Sequence, residues 1–389
     1  MKIAIICDVL GVPNNGTSIA SYNLINYLKK AGHEVHVVCS DEDKIGVEGY
    51  HVVPHLNLGP INAYVKKNGV ALSKGDKKIL EPLIKEMDLI HTEMPFSLSV
   101  AAVKLARKYN IPITSSCHVQ AENCTSHVFM MRFELANYAM YKIFYHNVYK
   151  HAISVHYPSK FICDYLVERG YKAPKPYVIT NGVNPGIYPI QVEKPDSLKG
   201  KFVILYTARY VKEKYQKILI DAMKYTKYQD KIQLVFAGGG PNLAKLEKRA
   251  EKLNLKNKVM FRFFPRVEMN NVINYADLYV HPSNIEIEAI AANEAVSCGL
   301  VPVISNSKKS AAPMFAIDEN NLFKASSPKD LAKRIDFWIE NPELKAKQKE
   351  EYLSRRNPLS VEEAMIQMEQ MILDSYRIFH ERKKALEGK

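Results

Sequence analysis

Two glutamates eight positions apart, Glu286 and Glu294, lie in the chemically richest stretch of the chain, Ser283 to Gly299. If both were helical they would stand roughly 12 Å apart along the axis and about 80° apart around it. The flanking residues favour another arrangement. A strand ends at His281-Pro282-Ser283, Glu286 follows on a loop, and Glu294 falls one or two turns inside a helix that ends near Gly299. The helix N-terminus then lies between the carboxylates, and its backbone N–H groups favour a phosphate. Two carboxylates bracketing a phosphate site suit a nucleotide sugar, with hydroxyls at both ends and a diphosphate in the middle. The same spacing also fits an ordinary acidic helix start.

Other residue types that bind phosphate or sugar occur at strand ends. Arg209 and Lys214 follow the run Phe202–Thr207. Two cations there can clamp a diphosphate, the arginine bidentately, and neutralise charge developing on a departing nucleotide. Taken alone they also read as a solvated charge cluster. Near the start of the chain, Gly16 and Thr17 open a helix after the first strand, where a glycine permits close backbone approach to a ligand. His118 ends the strand Ile113–Cys117, with Glu122 four residues on. A histidine in that place can touch a sugar hydroxyl, although a single histidine is more often a satisfied loop residue. The run Gly238–Gly240 lacks the Gly-x-Gly-x-x-Gly form, because position 243 is Leu, and is discounted as a dinucleotide fingerprint.

The elements needed to position these residues are legible as alternating β-branched runs and amphipathic helices. Strands are expected at Lys2–Cys7, Glu34–Cys39, Asp88–His91, Ile113–Cys117 and Ala152–His156, with helices at Ser18–Ala31 and Leu98–Lys108. A second series has strands at Phe202–Thr207, Ile232–Ala237, Lys258–Phe261, Leu278–Val280 and Val301–Ile304. Helices in it begin at Lys217 and span Leu243–Leu253, and the last ~40 residues read as two charged helices. Strand–helix–strand order implies parallel sheets with right-handed crossovers. The chain is therefore expected to be α/β, with two doubly wound units joined by a Pro-rich linker near Asn181–Lys199. Two such units facing each other would create one cleft, with ligands outside the carboxyl ends of the strands.

Composition excludes several classes. The chain has 389 residues, 47% hydrophobic and 24% charged, enough for a buried core and too apolar for disorder. Its net charge of +13 favours anionic partners such as nucleic acid, an acidic membrane or phosphorylated substrates. No motif of a nucleic-acid-binding fold accompanies that charge. No apolar run is long enough to span a membrane, and Asp8 interrupts the first apolar run too soon for a signal peptide. Six scattered cysteines without a Cys-x-x-Cys pair indicate reduced thiols and give no support to a zinc site. The segment His127–His151 is aromatic and basic, and Lys66, Lys67, Lys74, Lys77 and Lys78 add charge nearby in sequence. Arg132, Tyr141, Lys142 and Tyr145 are taken from it, with Lys66 and Lys67, as candidates for docking on anionic lipid. The competing reading is that its aromatic residues are core.

Together these residues resemble family 4 glycosyltransferases, the retaining group with the GT-B fold. The resemblance covers nearly the whole chain. Its most specific part is the Glu-x7-Glu motif followed by Ala-Val-Ser-Cys-Gly-Leu-Val-Pro-Val-Ile, from Glu286 to Ile304. Ala208-Arg209 to Lys214, Gly238–Pro241, Tyr275-Ala276-Asp277, His281-Pro282-Ser283 and Asn181-Gly182-Val183 also match. His91-Thr92-Glu93-Met94-Pro95-Phe96 and Ser116-Cys117-His118-Val119-Gln120 resemble the branch that glycosylates diacylglycerol. The resemblance implies that Glu286 contacts the donor sugar, Glu294 the ribose hydroxyls, and Arg209 and Lys214 the diphosphate. It further implies that His118 lies near the donor sugar and that Gly16 and Thr17 approach the diphosphate. Ala289 and Ile290, at the helix start between the glutamates, join the donor-binding set.

The chain departs from the family pattern at Asn15, where a small residue is usual, and at Ala208, Tyr215, Ile287 and Ala289, where glycine is usual. By resemblance the chain comprises an acceptor-binding and membrane-docking region at 1–185, a nucleotide-sugar region at 186–360 and a helix at 361–389 returning to the first. The implied reaction moves a hexose, glucose before galactose, from a UDP-sugar to a lipid such as 1,2-diacylglycerol, with no cofactor, metal or nucleic acid. Same-face attack is expected; a double displacement through Glu286 or Glu288 is the alternative, and a soluble or lipid-carried glycan is the alternative acceptor. The implied location is cytoplasmic, peripheral on the inner face of the plasma membrane.

Overall fold

The computed structural model describes residues 1–8, 10–11, 16–57, 59, 72–126, 131, 133–172, 175–355 and 360–387. They form two compact units, residues 1–181 with 361–389 and residues 182–360.

The first unit is built on β1 (Lys2–Ile6), α1 (Gly16–Lys30), β2 (Glu34–Cys39), β3 (Tyr50–Val52), α2 (Lys77–Lys85), β4 (Leu89–Thr92) and α3 (Ser97–Lys108). It continues with β5 (Ile113–Ser116), α4 (Ala121–Ser126), α5 (Glu134–Asn147), β6 (Ser154–Tyr157), α6 (Lys160–Val167) and β7 (Lys175–Val178). The strands pair in parallel in the order β3-β2-β1-β4-β5-β6-β7. Strands covered on both faces read as continuous apolar runs, and Ile3 to Ile6 of β1 are all buried.

The second unit runs β8 (Phe202–Thr207), α7 (Gln216–Ala222), β9 (Ile232–Ala237), α8 (Leu243–Lys252), β10 (Val259–Arg262), α9 (Arg266–Tyr275) and β11 (Leu278–His281). It closes with α10 (Ile290–Ser297), β12 (Pro302–Ser305), β13 (Leu322–Phe323), α11 (Pro328–Glu340) and α12 (Pro342–Ser354). Its sheet, also parallel, has the order β10-β9-β8-β11-β12-β13. Chain order reverses between β1 and β4 in the first sheet and between β8 and β11 in the second. Such reversals open a crevice beyond the strand C-termini, the usual ligand site of doubly wound sheets.

The C-terminal segment carries two charged helices, as expected: α12, which ends at Ser354, and the 27-residue α13 (Val361–Glu387), which fills most of the last ~40 residues. Ala364, Met365, Met368, Met371, Ile372 and Ser375 form its buried stripe, at the spacing one helical face requires. That stripe joins the core of β1, β2 and α1 in the first unit. Glu369 fastens it further, accepting from Tyr27 Oη at 3.0 Å and meeting His33 Nε2 at 2.9 Å. The first helix begins at Gly16 rather than Ser18, and Gly16 and Thr17 open it.

Candidate active site

In the second unit the crevice between β8 and β11 collects most of the chemistry. The chain leaves β8 through Ala208 and Arg209, makes a 3-10 turn at Lys212–Lys214, and enters α7 through Tyr215. Tyr206 Oη donates to the Lys214 carbonyl at 2.8 Å, Gln216 Nε2 to the Arg209 carbonyl at 2.6 Å, and Ser283 Oγ to the Glu213 carbonyl at 3.2 Å. Three side chains thus fix the path of the loop that carries both cations.

The glycine run after β9 fixes it from the other side. Tyr210 N donates to the Gly239 carbonyl at 2.8 Å, and Ala208 N to the Ala237 carbonyl at 3.1 Å. A Cβ on Gly240 would fall 2.8 Å from Tyr210 N and 2.9 Å from Tyr210 O, and one on Gly238 would overlap the Ala208 carbonyl oxygen. Both glycines have positive φ, 154° and 152°. The run is a packing device that lets two loops touch backbone to backbone.

β11 delivers the counter-charge. Glu286 lies on the loop after it, held by a bridge to Ser310 and by Ala311 N, which donates to the Glu286 carbonyl at 2.8 Å. Lys214 Nζ donates to Glu286 Oε1 at 2.7 Å, and His281 Nε2 lies 3.1 Å from the same oxygen. His281 Nδ1 is in turn 3.1 Å from Tyr279 Oη. Burial alone would raise the Glu286 carboxyl. The Lys214 charge and the His281 hydrogen bond outweigh burial and hold the group well below the usual carboxylate range. Glu286 is therefore a fixed anion, with Lys214 and His281 converging on one of its oxygens.

Three residues later the chain turns into α10. Ala289 caps it in the left-handed region at φ 62° and ψ 52°, and Tyr215, which caps α7, does the same at φ 53° and ψ 29°. Both occupy places where the family pattern has glycine, and the backbone adopts the glycine conformation regardless. Ile290 starts α10, and Glu294 lies in its second turn. Burial pushes the Glu294 carboxyl up to about 7, with the Arg266 charge acting in the opposite direction. Two carboxylates eight residues apart thus have opposite protonation tendencies. Among the described residues no carboxylate lies within ion-pair distance of Arg209.

In the first unit, His118 follows β5, largely buried, with Nε2 3.1 Å from Glu93 Oε2. Gly16 is exposed and Thr17 half-buried in the first turn of α1. Lys66, Lys67 and Arg132 lie outside the described residues. Lys142 is half-buried with its ammonium 5.2 Å from the Tyr138 ring, and Tyr145 is half-buried against the Tyr171 ring at 5.0 Å. Tyr141 is no surface residue. It is 2% exposed and donates to Glu122 Oε2 at 2.6 Å, because its position on α5 faces α4 and the buried rings of Tyr165 and Tyr171. Among the described residues of this region the exposed large apolar side chains are instead Phe133, Leu135, Tyr138 and Ile143. Sequence reasoning also passed over His281 and Glu93 as partners of site residues. A histidine or glutamate ending a buried strand was the available signal.

Two parallel doubly wound sheets of this topology, with cations and carboxylates beyond the strand ends of the second, have the architecture of the GT-B fold. The chain belongs to the glycosyltransferases: residues 14–186 match the model described as Glycosyltransferase Family 4, and residues 189–354 that described as Glycosyl transferases group 1. It is 25% identical over 323 residues to alpha-monoglucosyldiacylglycerol synthase of Streptococcus pneumoniae, covering 79% of this chain and 71% of the relative. It is 22% identical over 369 residues to the protein of the same name from Acholeplasma laidlawii, covering 88% and 89%. Among solved structures, Anabaena Alr3699/HepE in complex with UDP-glucose shares the fold, with a TM-score of 0.72 at 18% identity over 96% of this chain and all of that one.

Proposed function

We propose that the protein is a retaining, metal-independent glucosyltransferase that moves glucose from UDP-glucose to the hydroxyl of a diacylglycerol at a membrane surface. The Lys214–Glu286–His281 cluster beside α10 carries this reading, since it sets a fixed anion and a cation side by side at the mouth of the nucleotide-type crevice. The donor diphosphate would take Arg209 and Lys214, and Lys214 would then be shared between phosphate and Glu286. Glu286 would accept hydrogen bonds from hydroxyls of the glucose, Glu294 from the ribose, and His118 would contact the sugar. The backbone of Gly16–Thr17 and of Ala289–Ile290 would approach the phosphates.

The acceptor oxygen attacks the anomeric carbon as the bond from that carbon to the phosphate breaks. The electron pair leaves with UDP, and the hydroxyl proton passes to a phosphate oxygen on the same face. Arg209 and Lys214 stabilise the charge on the leaving group, the part a metal ion plays in other transferases. The two relatives are named for an alpha product, and an alpha product from the alpha-linked donor is retention.

The lipid acceptor is supported by the same names and by the surface of α5. Leu135, Tyr138 and Ile143 are exposed on it, with Phe133 just before it and Lys150 in the turn just after it, on a chain of net charge +13. Exposed apolar side chains on a helix with a basic residue just beyond its end suit an anionic interface. Among the described residues no helix is long and apolar enough to cross a membrane, so attachment is proposed as peripheral, on the cytoplasmic face of the plasma membrane.

Nucleotide release from a panel of UDP- and GDP-sugars, with and without diacylglycerol in anionic mixed micelles and with excess EDTA, tests the reading. Release from UDP-glucose that needs the lipid, survives EDTA and collapses in Glu286→Ala and Lys214→Ala is the expected result. Lipid-independent release would move the acceptor to a glycan. Release from no donor would refute the site.

A further inference from the structure

Glu93 directly follows β4 in the first unit and is 1% exposed. Three histidines surround it. His118 Nε2 lies 3.1 Å from its Oε2, and His91 Nε2 lies 3.9 Å from its Oε1, an atom with no hydrogen-bond partner among the described residues. Burial alone would raise this carboxyl. The hydrogen bond and charge of His118, with smaller contributions from His91 and His156, outweigh it and hold Glu93 below the ordinary glutamate range. A buried carboxylate kept ionised in this way is costly unless a donor is bound to it.

Two of the three histidines are already committed. His91 bridges Thr114 Oγ1 and Ser116 Oγ at 2.9 Å each. His156 spans Ser116 Oγ at 2.9 Å and donates through Nε2 to the Ile179 carbonyl at 2.7 Å. Burial lowers these two rings to about 4 and about 3, so both are neutral at pH 7 and serve as struts between β4, β5, β6 and the segment after β7. His118 differs. Its Nε2 is engaged by Glu93, its ring packs edge-on against His156 at 5.5 Å, and its Nδ1 has no partner among the described residues.

We propose that Glu93 is the positioning residue of His118: it fixes the imidazole in the tautomer protonated on Nε2 and reserves Nδ1 for a hydroxyl of the donor sugar. The inference rests on the reading of His118 as a sugar contact. A carboxylate behind a histidine sets which nitrogen carries the proton and how the ring is turned, and its loss lets the ring take the other tautomer. A glutamine at 93 keeps the shape and removes the charge, and its amide can bond either tautomer. Catalysis should therefore fall while the fold is retained.

The test is a double-mutant cycle in UDP-glucose turnover with lipid micelles, using wild type, Glu93→Gln, His118→Ala and the double variant, with thermal unfolding of each. Glu93→Gln is expected to lower kcat about tenfold or more and to have no further effect in the His118→Ala background, because it acts through that ring. A further tenfold loss in the His118→Ala background would assign Glu93 a merely structural role and overturn the proposal. Unimpaired His118→Ala would instead refute the reading of His118 itself, a distinct outcome. Nitrogen-15 spectra of the wild-type histidines give an answer independent of how the variants fold: a His118 proton on Nε2 alone supports the proposal, and one on Nδ1, with or without a second on Nε2, contradicts it.

Discussion

At the scale of single residues, the unequal environments of Glu286 and Glu294 have opposite consequences for pH. Glu294 is raised from 4.5 to about 7 by burial. The unfolded chain ionises this carboxyl first, so its contribution to stability falls as pH rises from about 4.5 to about 7 and then levels off. UDP-glucose has no group of its own titrating near neutrality. Its affinity should therefore rise through about pH 7 if the ribose hydroxyls donate to the Glu294 carboxylate. Calorimetric titrations between pH 5 and 8 should show this rise in wild type and a flat, weaker profile in Glu294→Gln; parallel profiles would remove Glu294 from the ribose site.

Ala289 gives a second residue-scale test. A left-handed residue with a Cβ costs roughly 1–2 kcal/mol, and the extra chain freedom of glycine returns about 0.5–1 kcal/mol of that. Ala289→Gly should thus gain up to about 1.5 kcal/mol in urea unfolding, whereas a β-branched Ala289→Val should be destabilising. The loop position of Glu286 and the helical position of Glu294 were legible, because His281-Pro282-Ser283 closes a strand and Gly299 closes a helix. The Lys214–Glu286 contact was not, because it depends on two strand ends meeting 72 residues apart in sequence, and the His281–Glu286 contact was not, because it depends on how the loop after β11 folds back on that strand.

At the scale of elements, the glycine turn between β9 and α8 decides where Arg209 and Lys214 stand. Gly240→Ala would drive a Cβ into the Tyr210 backbone, whereas nothing lies within 4 Å of a Cβ on Gly239. Gly240→Ala should lose ~1–3 kcal/mol, the usual cost of forcing a group into a packed contact or a backbone into strain, and weaken UDP binding. Gly239→Ala should be silent in both unfolding and binding. Equal behaviour of the two would mean that the turn does not support the loop. Strand runs such as Glu34–Cys39, Phe202–Thr207 and Ile232–Ala237 were legible to the residue, since largely covered parallel strands are mostly apolar and β-branched runs. The edge strands β3, β7 and β13 were not, being two to four residues long and partly exposed. The glycine turn was legible as a turn, but its partner, the backbone of residues 208–210, is remote in sequence.

At the scale of the whole molecule, charge and the α5 surface should govern where the protein works. Binding to anionic vesicles should weaken as salt screens the basic surface, and Leu135→Glu with Tyr138→Glu should reduce it further without altering the circular dichroism. Binding indifferent to both salt and the substitutions would exclude this face. The sequence could not separate Tyr138 from Tyr141. They differ by one helical turn, and only the packing of α5 on α4 and α6 decides which is buried. Wild type given UDP-glucose and diacylglycerol in anionic mixed micelles should form an alpha-linked monoglucosyldiacylglycerol. Glu286→Gln should form it at least about a hundredfold more slowly, the scale on which fixed charges at a reacting centre act. No glucolipid from wild type, or an undiminished rate from Glu286→Gln, would contradict the account.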